Sequence, residues 1–115
     1  MKIDIDADIR KAKTIPSKFY HSQKIYKKLK ILFDRSWQFI GDTTLLKNNN
    51  VHPGILLEGM VDEPYLLTKD KGNIRCLSNV CTHRGNILCN ESCESKTLVC
   101  GYHGRQFDID GKMKF

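Results

Sequence analysis

The sequence lacks any long apolar run, and no segment approaches the roughly 18 residues that a membrane helix needs. Its start, Met1 to Lys13, alternates acids, bases and apolar residues and has no continuous apolar core of a secretory signal. Cysteine is present only five times, too few for a disulfide-stapled mini-protein and odd in number. Histidine is scarcer still, at four. There is no internal repeat and no low-complexity tract beyond Asn48-Asn49-Asn50. With 115 residues there is room for one domain but not for a long second one. Hydrophobic residues make up 40% and charged residues 28%, which argues against wholesale disorder. These absences point to a soluble protein of a reducing compartment, by default the cytoplasm, where cysteines more often bind metal than pair.

The net charge of +6 is unevenly placed. Residues 1–36 hold ten Lys or Arg against four Asp, and residues 37–115 hold nine of each sign. The whole basic excess therefore lies in the first third. No nucleic-acid recognition motif accompanies it, so a solvated or partner-facing basic helix is expected and no nucleic-acid partner.

Residues 1–15 read as a flexible lead-in. Pro16-Ser17 signals a helix start with Ser17 as N-cap, and Phe19, Ile25, Tyr26, Leu29, Leu32 and Phe33 recur at helical spacing. A helix is predicted from about Ser17 to Asp34, followed by a short strand at Trp37–Ile40. Thr43–Pro53 is polar enough to read as a loop. Gly54–Met60, Tyr65–Lys69 and Ile74–Ser78 then read as an antiparallel meander, separated by turn signals at Asp62-Glu63-Pro64 and Asp70-Lys71-Gly72-Asn73. Thr97–Val99 and Gln106–Ile109 are predicted strands, with an Asp110-Gly111 turn leading to Lys112 and Met113. The chain thus divides into a lead-in (1–15), a helix and short strand (16–41), and an all-β segment (42–115).

The chemistry concentrates in four residues. Cys81 and His83 form a Cys-x-His pair, and sixteen intervening residues later Cys100 and His103 form Cys-x-x-His. Each pair falls in a loop at a strand end, with Gly85, Gly101 and Gly104 beside them. Glycine allows close backbone approach and leaves amides free to face anions. Two thiolates and two imidazoles suit zinc or an iron–sulfur centre. Zinc fingers usually group Cys with Cys and His with His, whereas each loop here offers one of each. A Rieske 2Fe-2S centre takes two Cys on one iron and two His on the other, which two such loops satisfy.

Cys81-Thr82-His83-Arg84-Gly85-Asn86 and Cys100-Gly101-Tyr102-His103-Gly104-Arg105-Gln106-Phe107 resemble the Rieske domain of ring-hydroxylating non-haem iron oxygenase alpha subunits. Ile15–Tyr20 and Ser36–Gly41 resemble the segment preceding that domain, so the likeness covers roughly residues 15–115. The resemblance implies an N-terminal helix followed by an antiparallel β-sandwich, with a subdomain of two cluster-binding loops. It implies Cys81, His83, Cys100 and His103 as ligands of a 2Fe-2S cluster. It further implies electrons received from a ferredoxin or flavin reductase and passed to a mononuclear iron in a catalytic domain, usually across a ring-shaped homo-oligomer. High-potential respiratory Rieske proteins are similar in ligands but add a disulfide between the loops and a Ser hydroxyl that donates to a cluster sulfur. Asn86 and Tyr102 stand where those cysteines are expected, and Arg105 where that Ser is expected.

The oxygenase catalytic iron takes two His and a carboxylate. His21 and His52, the remaining histidines, lie upstream of the cluster without such partners and read as surface residues. The stop at Phe115 reads as a truncation of the sandwich. The isolated chain is therefore expected not to oxygenate a substrate. A stand-alone Rieske ferredoxin is the alternative, and a zinc module a weaker one. Cys76 reads as an ordinary buried thiol, and Cys89 and Cys93 as structural or incidental, outside the ligand set.

Overall fold

The computed structural model describes residues 5–114. The chain divides into two compact units, Met1–Gln38 and Phe39–Phe115. In the first unit, the initial four residues of the expected lead-in lie outside the described part. Asp8 closes a turn by accepting from the Lys11 and Ala12 N–H groups, both at 2.9 Å. The expected helix is interrupted. Ser17–Phe19 is one 3-10 turn, and the α-helix α1 runs only over Gln23–Asp34. Its N-cap is Ser22, not Ser17, because the Ser22 hydroxyl accepts from the Ile25 N–H while Ser17 makes no capping bond. His21 consequently lies in the break before the helix. Trp37–Ile40 forms no strand, since its backbone pairs with no other segment among the described residues.

The second unit holds five strands: β1 Val51–Leu56, β2 Glu63–Asp70, β3 Asn73–Ser78, β4 Thr97–Val99 and β5 Gln106–Asp108. They form two antiparallel sheets, β1-β2-β3 and β4-β5. Lys71 and Gly72 join β2 to β3 with φ of 47° and 83°. Two successive positive φ values define the hairpin turn whose twist matches the flanking strands. β1 starts at Val51, inside the stretch expected to be a loop, and stops at Leu56, where the expected strand continued to Met60. Thr43–Leu46, in the same expected loop, is a 3-10 turn capped by Asp42 that packs on β1 and β2 and buries Leu46.

β2 is the middle strand, and its run Leu66-Leu67-Thr68 is buried. The Thr68 hydroxyl donates to the Ile109 carbonyl at 2.8 Å, so its burial leaves no unpaired group. The core comprises Val51, Leu66, Cys81, Leu98, Cys100, Phe107 and Ile109. It therefore draws on both sheets and on both Cys/His loops.

Tyr65 covers Gly54 on the paired strand, where any Cβ would collide with its ring. Its hydroxyl donates to the Ile40 carbonyl at 3.4 Å. Burial, and less strongly the nearby Cys76, pushes the Tyr65 pKa up. The folded chain thus holds this proton more tightly than the unfolded chain. The resulting stability is fully present below the ordinary tyrosine value near 10 and is lost as pH rises through the raised value. Alkaline unfolding followed by circular dichroism is expected to show a shallower loss in Tyr65→Phe than in the parent. Identical pH profiles would remove Tyr65 as the cause.

Candidate metal centre

The two loops have the same backbone construction. In the first, the Cys81 N–H donates to Asn86 C=O at 2.8 Å and the Gly85 N–H donates to Cys81 C=O at 3.0 Å. In the second, the Cys100 N–H donates to Arg105 C=O at 2.8 Å and the Gly104 N–H donates to Cys100 C=O at 2.9 Å. Each cysteine is thus tied to the residues four and five positions later. The turn back requires a left-handed residue, supplied by Gly85 and Gly104 at φ 69° and 73°. Gly101 has no positive φ and is not needed for that purpose. The equivalence stops at the histidines, which stand two positions after Cys81 and three after Cys100.

The loops bring like donors together. Cys81 and Cys100 are each 2% exposed and share one core cluster, close enough for the Cys81 side chain to act on the Cys100 thiol. His83 and His103 are exposed, with ring centroids 4.7 Å apart in an edge-on arrangement. One end of the site is therefore a pair of buried sulfurs and the other a pair of solvent-facing imidazoles. Among the described residues, no three His, Cys, Asp or Glu side chains gather closely enough to hold one metal ion. A single tetrahedral zinc needs four donors around one point. Two metals with two donors each fit the paired arrangement.

The Cys100 thiol is held below its ordinary pKa, chiefly because the Tyr102 N–H donates to its sulfur. The Cys81 side chain, the His103 N–H and the Asn86 side chain act in the same direction, against the effect of burial. These donors stabilise a thiolate, the form that binds metal. The Tyr102 ring lies against His103, with centroids 3.9 Å apart. Arg105 reaches across to donate to the Thr82 hydroxyl at 3.1 Å, a direct tie between the loops. Asn86, Tyr102 and Arg105 were legible in the sequence only as departures from the respiratory pattern. Here they support a sulfur, cover an imidazole and join the loops.

Two other side chains pin the segment between the two loops. Asn79, 3% exposed, donates from its amide to the Cys89 carbonyl at 2.7 Å and accepts the Cys89 N–H at 2.9 Å. Nothing local in the sequence marks this role, because Asn79 and Cys89 are ten positions apart. His52 is half-buried rather than a free surface residue, and its Nδ1 lies 2.8 Å from the Ser92 hydroxyl. Cys76 is exposed on β3, contrary to the expected buried thiol, because its side chain is on the face of the hairpin away from the core.

The sequence profile of the Rieske [2Fe-2S] domain matches residues 36–115. The chain belongs to this family, whose domain carries a Rieske-type 2Fe-2S cluster. It is 29% identical over 106 residues to the glycine betaine monooxygenase oxygenase subunit of Chromohalobacter salexigens, and 32% over 104 residues to the chloroplastic choline monooxygenase of Spinacia oleracea. Each match covers 89% of this chain and 23% of the relative. The chain thus spans about a quarter of the length of these relatives. Among solved structures, the quaternary ammonium Rieske monooxygenase CntA matches with a TM-score of 0.77 at 26% identity, over 90% of this chain and 29% of that one. Naphthalene 1,2-dioxygenase matches with a TM-score of 0.68 at 27% identity, over 84% and 22%. The chain corresponds to the Rieske part of oxygenase alpha subunits, and the choice between iron–sulfur and zinc falls to iron–sulfur. Among the described residues no helix is long and apolar enough to cross a membrane.

Proposed function

We propose that this chain is the electron-transfer part of a Rieske oxygenase alpha subunit. Cys81 and Cys100 would hold one iron of the cluster, and His83 and His103 the other. The observation that carries this reading is the cross-loop pairing of two buried thiols and two exposed imidazoles. When bound, the cluster supplies a one-electron couple. The N–H groups of Tyr102 and His103 stabilise negative charge on the Cys100 sulfur. The exposed imidazoles serve a different purpose. With one ring nitrogen committed to a metal, the other stays open to hydrogen bonding with solvent or a partner. The relatives named above are oxygenases or oxygenase subunits, which favours this reading over a free ferredoxin. A ferredoxin or flavin reductase would act as donor in the cytoplasm, and a catalytic domain with a mononuclear iron as acceptor. The chain would be assembled within a homo-oligomer.

Anaerobically prepared protein is expected to contain two irons and two sulfides, and after reduction to give the low-average-g paramagnetic signal of mixed Cys and His ligation. Colourless protein with stoichiometric zinc, from cells replete in iron and sulfide, would overturn the reading.

The potential is expected toward the low end of the Rieske range of about −150 to +300 mV. No Ser hydroxyl follows His103 at the donor position, and Arg105 is instead bonded to Thr82. Fewer donors to sulfur stabilise the reduced, more negative state less. Voltammetry at neutral pH checks this, and a strongly positive value would refute it.

A further inference from the structure

Cys89 and Cys93 lie outside the proposed ligand set, yet their sulfurs stand 3.8 Å apart. Their backbones are anchored at both ends of the intervening turn. Cys89 is clamped by the two bonds to Asn79. Cys93 donates to the Val51 carbonyl at 3.1 Å and accepts the Val51 N–H at 3.0 Å. The closeness of the thiols is therefore a property of fixed backbone positions, not of two wandering side chains. Both residues are half-buried, and Cys89 lines a cleft of about 290 Å³ together with Pro53, Ile55, Asn79 and Asn90. Cys89 is thus partly open to solvent.

We propose that Cys89 and Cys93 are a reversible oxidation site that closes to an intramolecular disulfide when the protein meets a peroxide. The sulfurs need to approach by only about 1.8 Å to reach the roughly 2.05 Å of a disulfide bond. The Cys89 thiolate attacks one peroxide oxygen, the O–O bond breaks, and a sulfenic acid forms as hydroxide leaves and is protonated to water. The Cys93 sulfur then attacks the Cys89 sulfur, the S–OH bond breaks, and a second water leaves with the Cys93 proton. Two thiols lose two electrons in total and the peroxide gains them. A dithiol reductant reverses the change by exchange. Closure would lock the turn that hangs on Asn79, two positions before Cys81. In a reducing compartment, a disulfide of this kind is transient and sensing in character.

The chain itself provides a clean readout. Trypsin cuts after Arg84 and Lys96, and the peptide Gly85–Lys96 contains Cys89 and Cys93 but no other cysteine. The full chain, freed of reductant, is treated with a small excess of hydrogen peroxide, denatured, alkylated with iodoacetamide and digested. The peptide is expected to lose both alkyl adducts and to be lighter by two hydrogens, and to regain both adducts after dithiothreitol. In Cys93→Ser, the oxidation should stall at Cys89 as a sulfenic acid trapped by dimedone, with much less trapping in the parent. A doubly alkylated peptide after treatment would overturn the proposal. So would a cross-link to the peptides carrying Cys76, Cys81 or Cys100, or equal dimedone trapping in parent and variant.

Discussion

His83→Ala and His103→Ala proteins are each expected to be isolated with little or none of the visible absorbance and acid-labile sulfide of the parent. Each substitution removes one of the two donors at the imidazole end, and the remaining ring cannot complete a metal's coordination alone. The effect is expected to be specific to the site. Both rings are exposed, so their loss leaves no cavity in the core. Circular dichroism of the variants should therefore match that of the metal-free parent. Cys81→Ser and Cys100→Ser should also lose the absorbance, but with lower stability, because both thiols are core residues. Cys89→Ser and Cys93→Ser should keep the parent spectrum. Full absorbance in either His→Ala protein, or its loss in either of the last two, would show that the ligands are misassigned.

Leu66→Ala is expected to cost about 2–5 kcal/mol of stability, the usual range for a fully buried leucine. Leu66 has no exposed surface, lies on the central strand and packs in the same cluster as Cys81 and Cys100. Small domains have only about 5–15 kcal/mol in total, so the loss would leave a substantial unfolded population. Ile74→Ala is the contrast. Ile74 is 44% exposed on the edge strand β3, and its truncation should shift stability by no more than about 0.5 kcal/mol. Urea unfolding of both variants checks the pair. A similar midpoint for the two would mean that the core is not centred where the structure places it.

Much of this fold is written locally. The β2–β3 hairpin follows from Asp70-Lys71-Gly72-Asn73, where two residues at positive φ reverse the chain. The two Cys/His loops are equally legible, since their spacing and glycines mark them, and the structure brings the loops together. The misreadings arose where a distant partner decides. Asn50 ends an asparagine run that reads as loop, but its side chain donates to the Ser95 carbonyl at 2.7 Å and accepts the Ser95 N–H at 2.8 Å. That connection, with the Val51–Cys93 bridge, fixes the start of β1 across more than forty positions. Trp37–Ile40 shows the opposite case. Its residues favour a strand, but no partner strand is offered among the described residues. The start of α1 depended on Ser17 and Ser22, two equivalent caps, and only the geometry at Ser22 separates them.

The construction of the two loops also bears on the order in which the chain can fold. Each loop is closed by bonds spanning four or five positions, whereas Cys81 and Cys100 are nineteen positions apart. Short closures are entropically cheap and fast, with small loops forming in about 10–100 ns. Joining the loops closes a longer stretch of chain, and the Val51–Cys93 bridge beside it closes a longer one still. Each half of the donor set is thus shaped by bonds within its own loop, independent of the other half. A chain stalled between these closures would expose one thiol and one imidazole per loop, a set that can scavenge a stray metal ion but cannot present the matched pairs of the finished site.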